Sequence, residues 1–165
     1  PFLQDVPGVK EHFWNMLIID ALIGNTDRNN SNWGIILRKD GSKEIAPVYD
    51  NGNCLNSKWD DEKMRIVMSD ADKMEAEAYK ARRCIFELHG KRVNPYHIIE
   101  SREYPECLEA VHRLTTQIGN NMDKIQAMIM EIPILSEIQK KFFTSIIQYR
   151  YEKVLLECIK NDCEH

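Results

Sequence analysis

The sequence predicts an α+β fold that is mostly α-helical and has one β-hairpin near its start. Apolar residues recur at helical spacing over much of the chain, and two short strand-like segments flank an Asp-Gly turn signal near its beginning. With 165 residues, of which 43% are hydrophobic, the chain can form one domain with a buried core, or one lobe of a larger unit.

Charge and hydropathy argue against several classes of protein. The formal net charge of −4 gives no basic field that would favour nucleic acid or an anionic membrane. The longest apolar run, MLIIDALI, is interrupted by Asp20 and is much shorter than the roughly 18 residues that a membrane span needs. We therefore expect neither direct nucleic-acid binding nor a membrane segment.

The cysteines indicate a reducing compartment. They are odd in number, widely scattered and never spaced as C-x-x-C, which argues against a disulfide scaffold and against a zinc site. The five are Cys54, Cys84, Cys107, Cys158 and Cys163. We expect a cytoplasmic protein. Because the chain opens on Pro1 without a Met or a signal-peptide pattern, we also expect it to be a fragment of a longer one.

The first third of the chain predicts a helix, a polar loop and a hairpin, in that order. Apolar side chains at helical spacing predict a helix over residues 10–23, which ends before Gly24. The polar loop covers residues 24–33. The hairpin covers residues 33–49, where a D-G turn signal joins two strand-like segments, and Asp50 ends the returning strand.

The remaining chain predicts mainly helices. Residues 56–70 are charged and aperiodic, and we expect an irregular, mobile segment there. Pro95 after the N-cap residue Asn94, and the capping-box sequence SEIQ, are the clearest helix starts. Helices are expected over residues 71–90, from residue 95 onward, over residues 104–118 and 121–131, and over residues 136–160.

Three polar residues of the loop and the hairpin form a candidate site. Asp27 and Asn32 lie five positions apart, and Asp50 follows 23 positions after Asp27. Because a hairpin returns the chain towards its starting point, we expect Asp50 to lie near the loop. Two carboxylates and an amide oxygen suit Mg²⁺, which typically takes one or two carboxylates together with substrate phosphates.

The same order of residues occurs in phosphoryl-transfer enzymes. Protein kinases carry an Asp, an Asn five residues later, and a second Asp that binds metal. Residues 18–52, which include GNTDRNNSNWG and APVYDNG, resemble the core of the HipA-like serine/threonine kinases, a group that includes toxins of bacterial toxin–antitoxin systems. Members of that family resemble GNTDRHxxNWG in the catalytic loop and APxYD at the metal-binding Asp.

The resemblance implies a fold and a role for each of these residues. Residues 1–165 would form the mostly helical C-lobe of a two-lobed, phosphatidylinositol-kinase-like kinase. Asp27 would be the catalytic Asp, and Asn32 and Asp50 would hold Mg²⁺ on ATP. The implied reaction transfers a phosphoryl group from ATP to Ser or Thr hydroxyls of a protein substrate, and an antitoxin is an implied partner.

Two departures from the family pattern bear on activity. Position 29 is Asn where many relatives carry His, so activity would be reduced or differently supported if that His positions the γ-phosphate. The chain also has neither a G-x-G-x-x-G nor a G-x-x-x-x-G-K-[ST] sequence, so we expect a kinase N-lobe to be absent from it. We therefore expect this lobe to be inactive alone and to need an N-lobe from the same product or from a partner subunit.

Other interpretations of the same residues stay open. The loop could be an Asx-rich turn that satisfies its own backbone. We expect Arg28 to pair structurally with a loop carboxylate rather than to act in catalysis. The chain could also be a non-catalytic, partner-binding module derived from a kinase lobe, which Asn29 and the missing N-lobe favour. A phosphatidylinositol-type lipid kinase is a third hypothesis, although no basic membrane-facing stretch supports it.

Overall fold

The structure is a computed structural model, and it describes residues 5–29, 31–79, 87–88, 91–92 and 94–160. Over these residues the fold is mostly helical, as the sequence predicts. The helices are α1 (Val9–Ile23), α2 (Asp61–Met68), α3 (Ala71–Ala78), α4 (Pro95–Ser101), α5 (Pro105–Asn120), α6 (Met122–Met130), α7 (Glu137–Arg150) and α8 (Glu157–Lys160), with a π-helical segment, Tyr151–Leu156, between the last two. Each of these helices is too short or too polar to cross a lipid bilayer.

The predicted hairpin is present near the start of the chain. Strand β1 (Ile35–Leu37) pairs antiparallel with β2 (Lys43–Ile45). One further backbone hydrogen bond, from Ala46 N–H to the Gly34 carbonyl at 2.9 Å, extends the pairing. Pro47 follows and has no N–H to donate, so the ladder is shorter than the predicted range of residues 33–49.

The prediction of an irregular segment over residues 56–70 is wrong in its centre, where α2 lies. The Asp60 side chain caps this helix by accepting a hydrogen bond from Lys63 N–H at 2.9 Å. Met64 and Val67, which lie one turn apart, bury the same face of α2. Only these two of its eight residues are buried, so the sequence shows little apolar periodicity there.

The helix predicted over residues 71–90 is also shorter than expected. It ends at Ala78, and the carbonyl oxygens of Glu77 and Ala78 accept hydrogen bonds from Arg150 at 3.4 and 3.0 Å. These carbonyls therefore accept hydrogen bonds from Arg150 of α7, where a longer helix would have supplied backbone N–H groups. Strand β3 (Glu87–Leu88) pairs with β4 (Lys91–Arg92), and the rest of the predicted range beyond Tyr79 lies outside the described residues.

The core forms around α1, against which α4, α5 and α7 pack. Tyr96 on α4 donates its hydroxyl hydrogen to the Ala21 carbonyl at 2.9 Å. The capping box predicted at the start of α7 is confirmed, because Ser136 and Gln139 bond each other's backbone N–H. Side chains that are essentially inaccessible include Leu17, Ile18, Val111, Phe142 and Ile146. Each such burial contributes about 1.5–3 kcal/mol, so the end of α1 is held firmly in place.

Gly24 ends α1 directly beside a buried guanidinium. Its φ of 63° is left-handed, and a Cβ at this position would lie 2.5 Å from Arg150 Nη1. Arg150 is itself fixed by its hydrogen bonds to backbone carbonyls, including that of Leu22 at 3.4 Å. Gly24 is therefore required both for the backbone turn and for the close approach of α7.

We predict that Gly24→Ala lowers the free energy of unfolding by about 2–4 kcal/mol, from backbone strain and from displacement of Arg150. Gly41→Ala is the matched control, because Gly41 also has a left-handed φ, of 85°, but no atom lies within 4 Å of its would-be Cβ. Urea denaturation of the natural full-length protein measures both changes. Equal losses at the two positions would show that contact with Arg150 adds nothing.

Candidate active site

The polar loop begins with a turn that is organised by Asn25. Its backbone N–H donates to the Asp20 carbonyl at 2.8 Å, and its side-chain Nδ2 donates to Asp20 Oδ1 at 3.0 Å. Its Oδ1 accepts a hydrogen bond from Asp27 N–H at 3.1 Å. Asn25 therefore links the last turn of α1 to Asp27.

A buried ion pair lies beneath the loop. Arg28 Nε donates to Asp20 Oδ2 at 2.8 Å, and Nη2 donates to Asp20 Oδ1 at 3.0 Å. The two side chains are 2% and 3% exposed. The pairing role expected for Arg28 is therefore present, but its partner is a carboxylate of α1 and not of the loop. This two-point geometry fixes the orientation of the guanidinium.

The remaining N–H groups of Arg28 join the loop to the chain that follows strand β2. Nη1 donates to the carbonyl oxygens of Asn32 at 2.8 Å and Tyr49 at 2.6 Å, and Nη2 donates to Asn51 Oδ1. With the two bonds of the ion pair, all five N–H groups of the guanidinium have acceptors. Both neighbours of Asp50 in the sequence are thus bound to the residue that follows Asp27.

Asp27 and Asn32 are in direct contact. Asn32 Nδ2 donates to the Asp27 carbonyl at 2.6 Å, which satisfies the amide nitrogen and turns Oδ1 away from that bond. The Oδ1 atom has only a 3.5 Å contact with Ser31 Oγ among the described residues. The Asp27 carboxylate is half-buried, and its Oδ2 accepts a hydrogen bond from Asn53 Nδ2 at 2.9 Å.

Asp50 is exposed and has an unusual backbone. Its φ of 56° is left-handed, a conformation that Asp and Asn adopt more readily than other residues apart from Gly. The contacts of Tyr49 and Asn51 with Arg28 hold the chain on both sides of it. Its carboxylate has no hydrogen bond with the side chains or backbone of the described residues, so it is available to a ligand.

Asn29 makes a local turn beside Asp27. Its Oδ1 accepts hydrogen bonds from the Ser31 N–H at 2.8 Å and from the Ser31 hydroxyl. Its Nδ2 lies 3.4 Å from both the carbonyl oxygen and Oδ1 of Asp27. The Asx-turn interpretation therefore holds in part, for the bonds between Asn29 and Ser31, while Asn30 lies outside the described residues.

His12 on α1 lies close to this network. Burial lowers the pKa of His12, and the positive charge of Arg28 lowers it further. Its Nε2 atom is buried and has no hydrogen-bond partner among the described residues. The folded protein therefore resists protonation of His12, which would add a second positive charge near Arg28.

Comparison with known proteins identifies a kinase as a relative. No protein-family model matches the chain. The chain is 36% identical over 150 residues to the serine/threonine-protein kinase CtkA of Helicobacter pylori, which covers 89% of this chain and 45% of that protein. The chain is homologous to CtkA.

The fold is also similar to that of CtkA. The crystal structure of the Helicobacter pylori proinflammatory kinase CtkA matches the chain with a TM-score of 0.83 and 31% sequence identity. That match covers 94% of this chain and 54% of the CtkA chain. The chain thus spans about half the length of this relative.

Sequence reasoning missed three residues of this network, namely Asp20, Asn51 and Asn53. Asp20 could have been identified from the sequence, because it interrupts the longest apolar run of the chain on a face that is otherwise buried. A buried charge needs a partner, and Arg28 is eight residues away. Asn51 and Asn53 had no comparable signal, since their partners depend on how the hairpin packs.

We predict that Arg28→Met lowers the free energy of unfolding by about 3–5 kcal/mol, because it leaves the Asp20 carboxylate buried without its charged partner. Arg38→Met is the matched control, since Arg38 pairs with Glu44 on the exposed hairpin and should contribute less than about 1 kcal/mol. Urea denaturation of the natural full-length protein gives both values. A loss at Arg28 no larger than that at Arg38 would contradict the structural role assigned to the buried pair.

Proposed function

We propose that this chain is the C-terminal catalytic lobe of a HipA-like, ATP-dependent serine/threonine protein kinase. The observation that carries the proposal is the bonding of Arg28, which brings the loop of Asp27 and Asn32 together with the chain on both sides of Asp50. Homology to a serine/threonine-protein kinase supports the same type of reaction.

The chemistry of Asn32 and Asp50 fits a magnesium ion. The Asn32 amide bonds through its nitrogen and leaves its oxygen for a ligand, and the Asp50 carboxylate is exposed. The described residues contain no group of three or more His, Cys, Asp and Glu side chains that could hold a metal. In this proposal ATP phosphates and water supply the remaining ligands, as is usual for Mg²⁺. When bound, the ion neutralises negative charge on the phosphates.

Asp27 would act on the substrate hydroxyl. Its carboxylate orients the Ser or Thr hydroxyl and accepts the proton while the hydroxyl oxygen bonds to the terminal phosphorus of ATP and the bond to ADP breaks. The backbone N–H and carbonyl of Asp27 bond to the side chains of Asn25 and Asn32. These bonds hold the backbone from which the Asp27 side chain extends.

The proposal also includes partners. Because the chain spans about half the length of CtkA, a phosphate-covering N-lobe in the same product or on a partner subunit would complete the ATP site. An antitoxin and a protein substrate bearing Ser or Thr are further proposed partners, in a cytoplasmic setting. The competing hypothesis is a non-catalytic binding module, which Asn29 in place of His favours.

We predict that the natural full-length protein gains phosphate on incubation with Mg²⁺ and ATP, as measured by intact mass, and that Asp27→Ala and Asp50→Ala abolish the gain. Each substitution should lower the rate by about 10³-fold or more, about 4 kcal/mol of transition-state stabilisation. Asp40→Ala, at the tip of the exposed hairpin, is the control and should keep the wild-type rate.

Two outcomes would contradict the proposal. A wild-type rate in Asp50→Ala would remove Asp50 from the reaction. No phosphate gain in the wild type, combined with no thermal shift on adding Mg²⁺ and ATP, would support the non-catalytic binding module.

A further inference from the structure

The segment after Asp50 reaches back to the proposed catalytic carboxylate. Asn53 Nδ2 donates to Asp27 Oδ2 at 2.9 Å across 26 residues of sequence. This is the only hydrogen bond from another segment of the described chain to the Asp27 carboxylate. Nothing in the proposed reaction so far uses Asn53.

Hydrogen bonds fix the chain on both sides of Asn53. Before it, the Asn51 side chain accepts a hydrogen bond from Arg28, and the Asn51 carbonyl accepts one from Cys54 N–H at 3.2 Å. After it, Leu55 N–H donates to the Ile23 carbonyl at the end of α1, at 2.8 Å. The Asn53 amide is therefore placed by the same helix end and the same arginine that place the loop.

The hydrogen bond from Asn53 makes the two oxygens of the Asp27 carboxylate inequivalent. Oδ2 is occupied by Asn53, whereas Oδ1 has only the long 3.4 Å contact with Asn29 Nδ2 among the described residues. The last torsion of an Asp side chain has a broad energy profile, so a hydrogen bond to one oxygen narrows the range of carboxylate orientations. With Oδ2 fixed, Oδ1 is the oxygen left to accept the proton of an attacking hydroxyl.

We propose that Asn53 is a positioning residue that orients the Asp27 carboxylate for phosphoryl transfer. The inference rests on the proposed kinase function. It also links two parts of the site, because the segment that follows the proposed metal-binding Asp50 then determines the orientation of the proposed base.

The chain offers a close control three residues away. Asn56 Nδ2 donates to Glu77 Oε1 at 2.9 Å, so Asn56 also directs an amide at a carboxylate, but one outside the proposed site. Both asparagines are half-buried. Asn53→Asp and Asn56→Asp therefore make the same chemical change, and each replaces an amide donor with a second carboxylate. Asp also tolerates the left-handed backbone of position 56.

The test measures steady-state phosphoryl transfer and its pH dependence in the natural full-length protein with Mg²⁺ and ATP. We expect Asn53→Asp and Asn53→Ala to lower kcat on the order of 100-fold while KM for ATP changes less than about threefold. In Asn53→Asp, the added carboxylate disfavours a second negative charge beside it, so the acidic limb of the pH–rate profile should move to higher pH. Asn56→Asp should keep kcat within about threefold and keep the wild-type pH profile.

The outcomes separate this inference from the proposed function. Wild-type kcat and pH profile in Asn53→Asp, with an active wild type, would overturn the role of Asn53 alone. An equal loss in Asn53→Asp and Asn56→Asp would also overturn it, because general destabilisation would then explain both. An inactive wild type would overturn the proposed kinase function and this inference with it.

Discussion

The buried pair between Asp20 and Arg28 is the interaction on which the rest of the site depends. It connects α1, the polar loop and the hairpin exit through one guanidinium whose five N–H groups all have acceptors. A buried pair of this kind adds little net stability compared with apolar residues, but the loss of one partner is costly. We therefore interpret the pair as the feature that sets the geometry of the site.

The site contains side chains whose polar atoms are fully bonded within the protein and others that have polar atoms available to bind a ligand. Arg28 and Asp20 are almost inaccessible and fully bonded, while the Asp50 carboxylate and the Asn32 amide oxygen are left without strong partners in the described chain. Asp27 lies between these extremes, with one oxygen bonded and one available. Such an arrangement suits a site in which the protein supplies orientation and charge, as phosphoryl transfer requires.

The parts of this fold that sequence could predict are those with local signals. Helical periodicity and Gly24 predicted α1 and its end, and the D-G turn predicted the hairpin. Helix α2 was missed because it buries only two residues. In the site, a paired Arg28 was predicted, but Asp20 as its partner and Asn53 as a contact of Asp27 depend on tertiary packing. The roles of the candidate site residues remain predictions, whereas homology to a kinase supports the general reaction.

The role of Asp50 in metal binding can be measured by calorimetric titration of the natural full-length protein with ATP, in the presence and absence of Mg²⁺, for the wild type and for Asp50→Asn. We predict that Mg²⁺ strengthens ATP binding by about tenfold or more in the wild type, and that Asp50→Asn removes most of this gain. Binding that responds equally to Mg²⁺ in both proteins would show that Asp50 does not help to hold the metal on ATP.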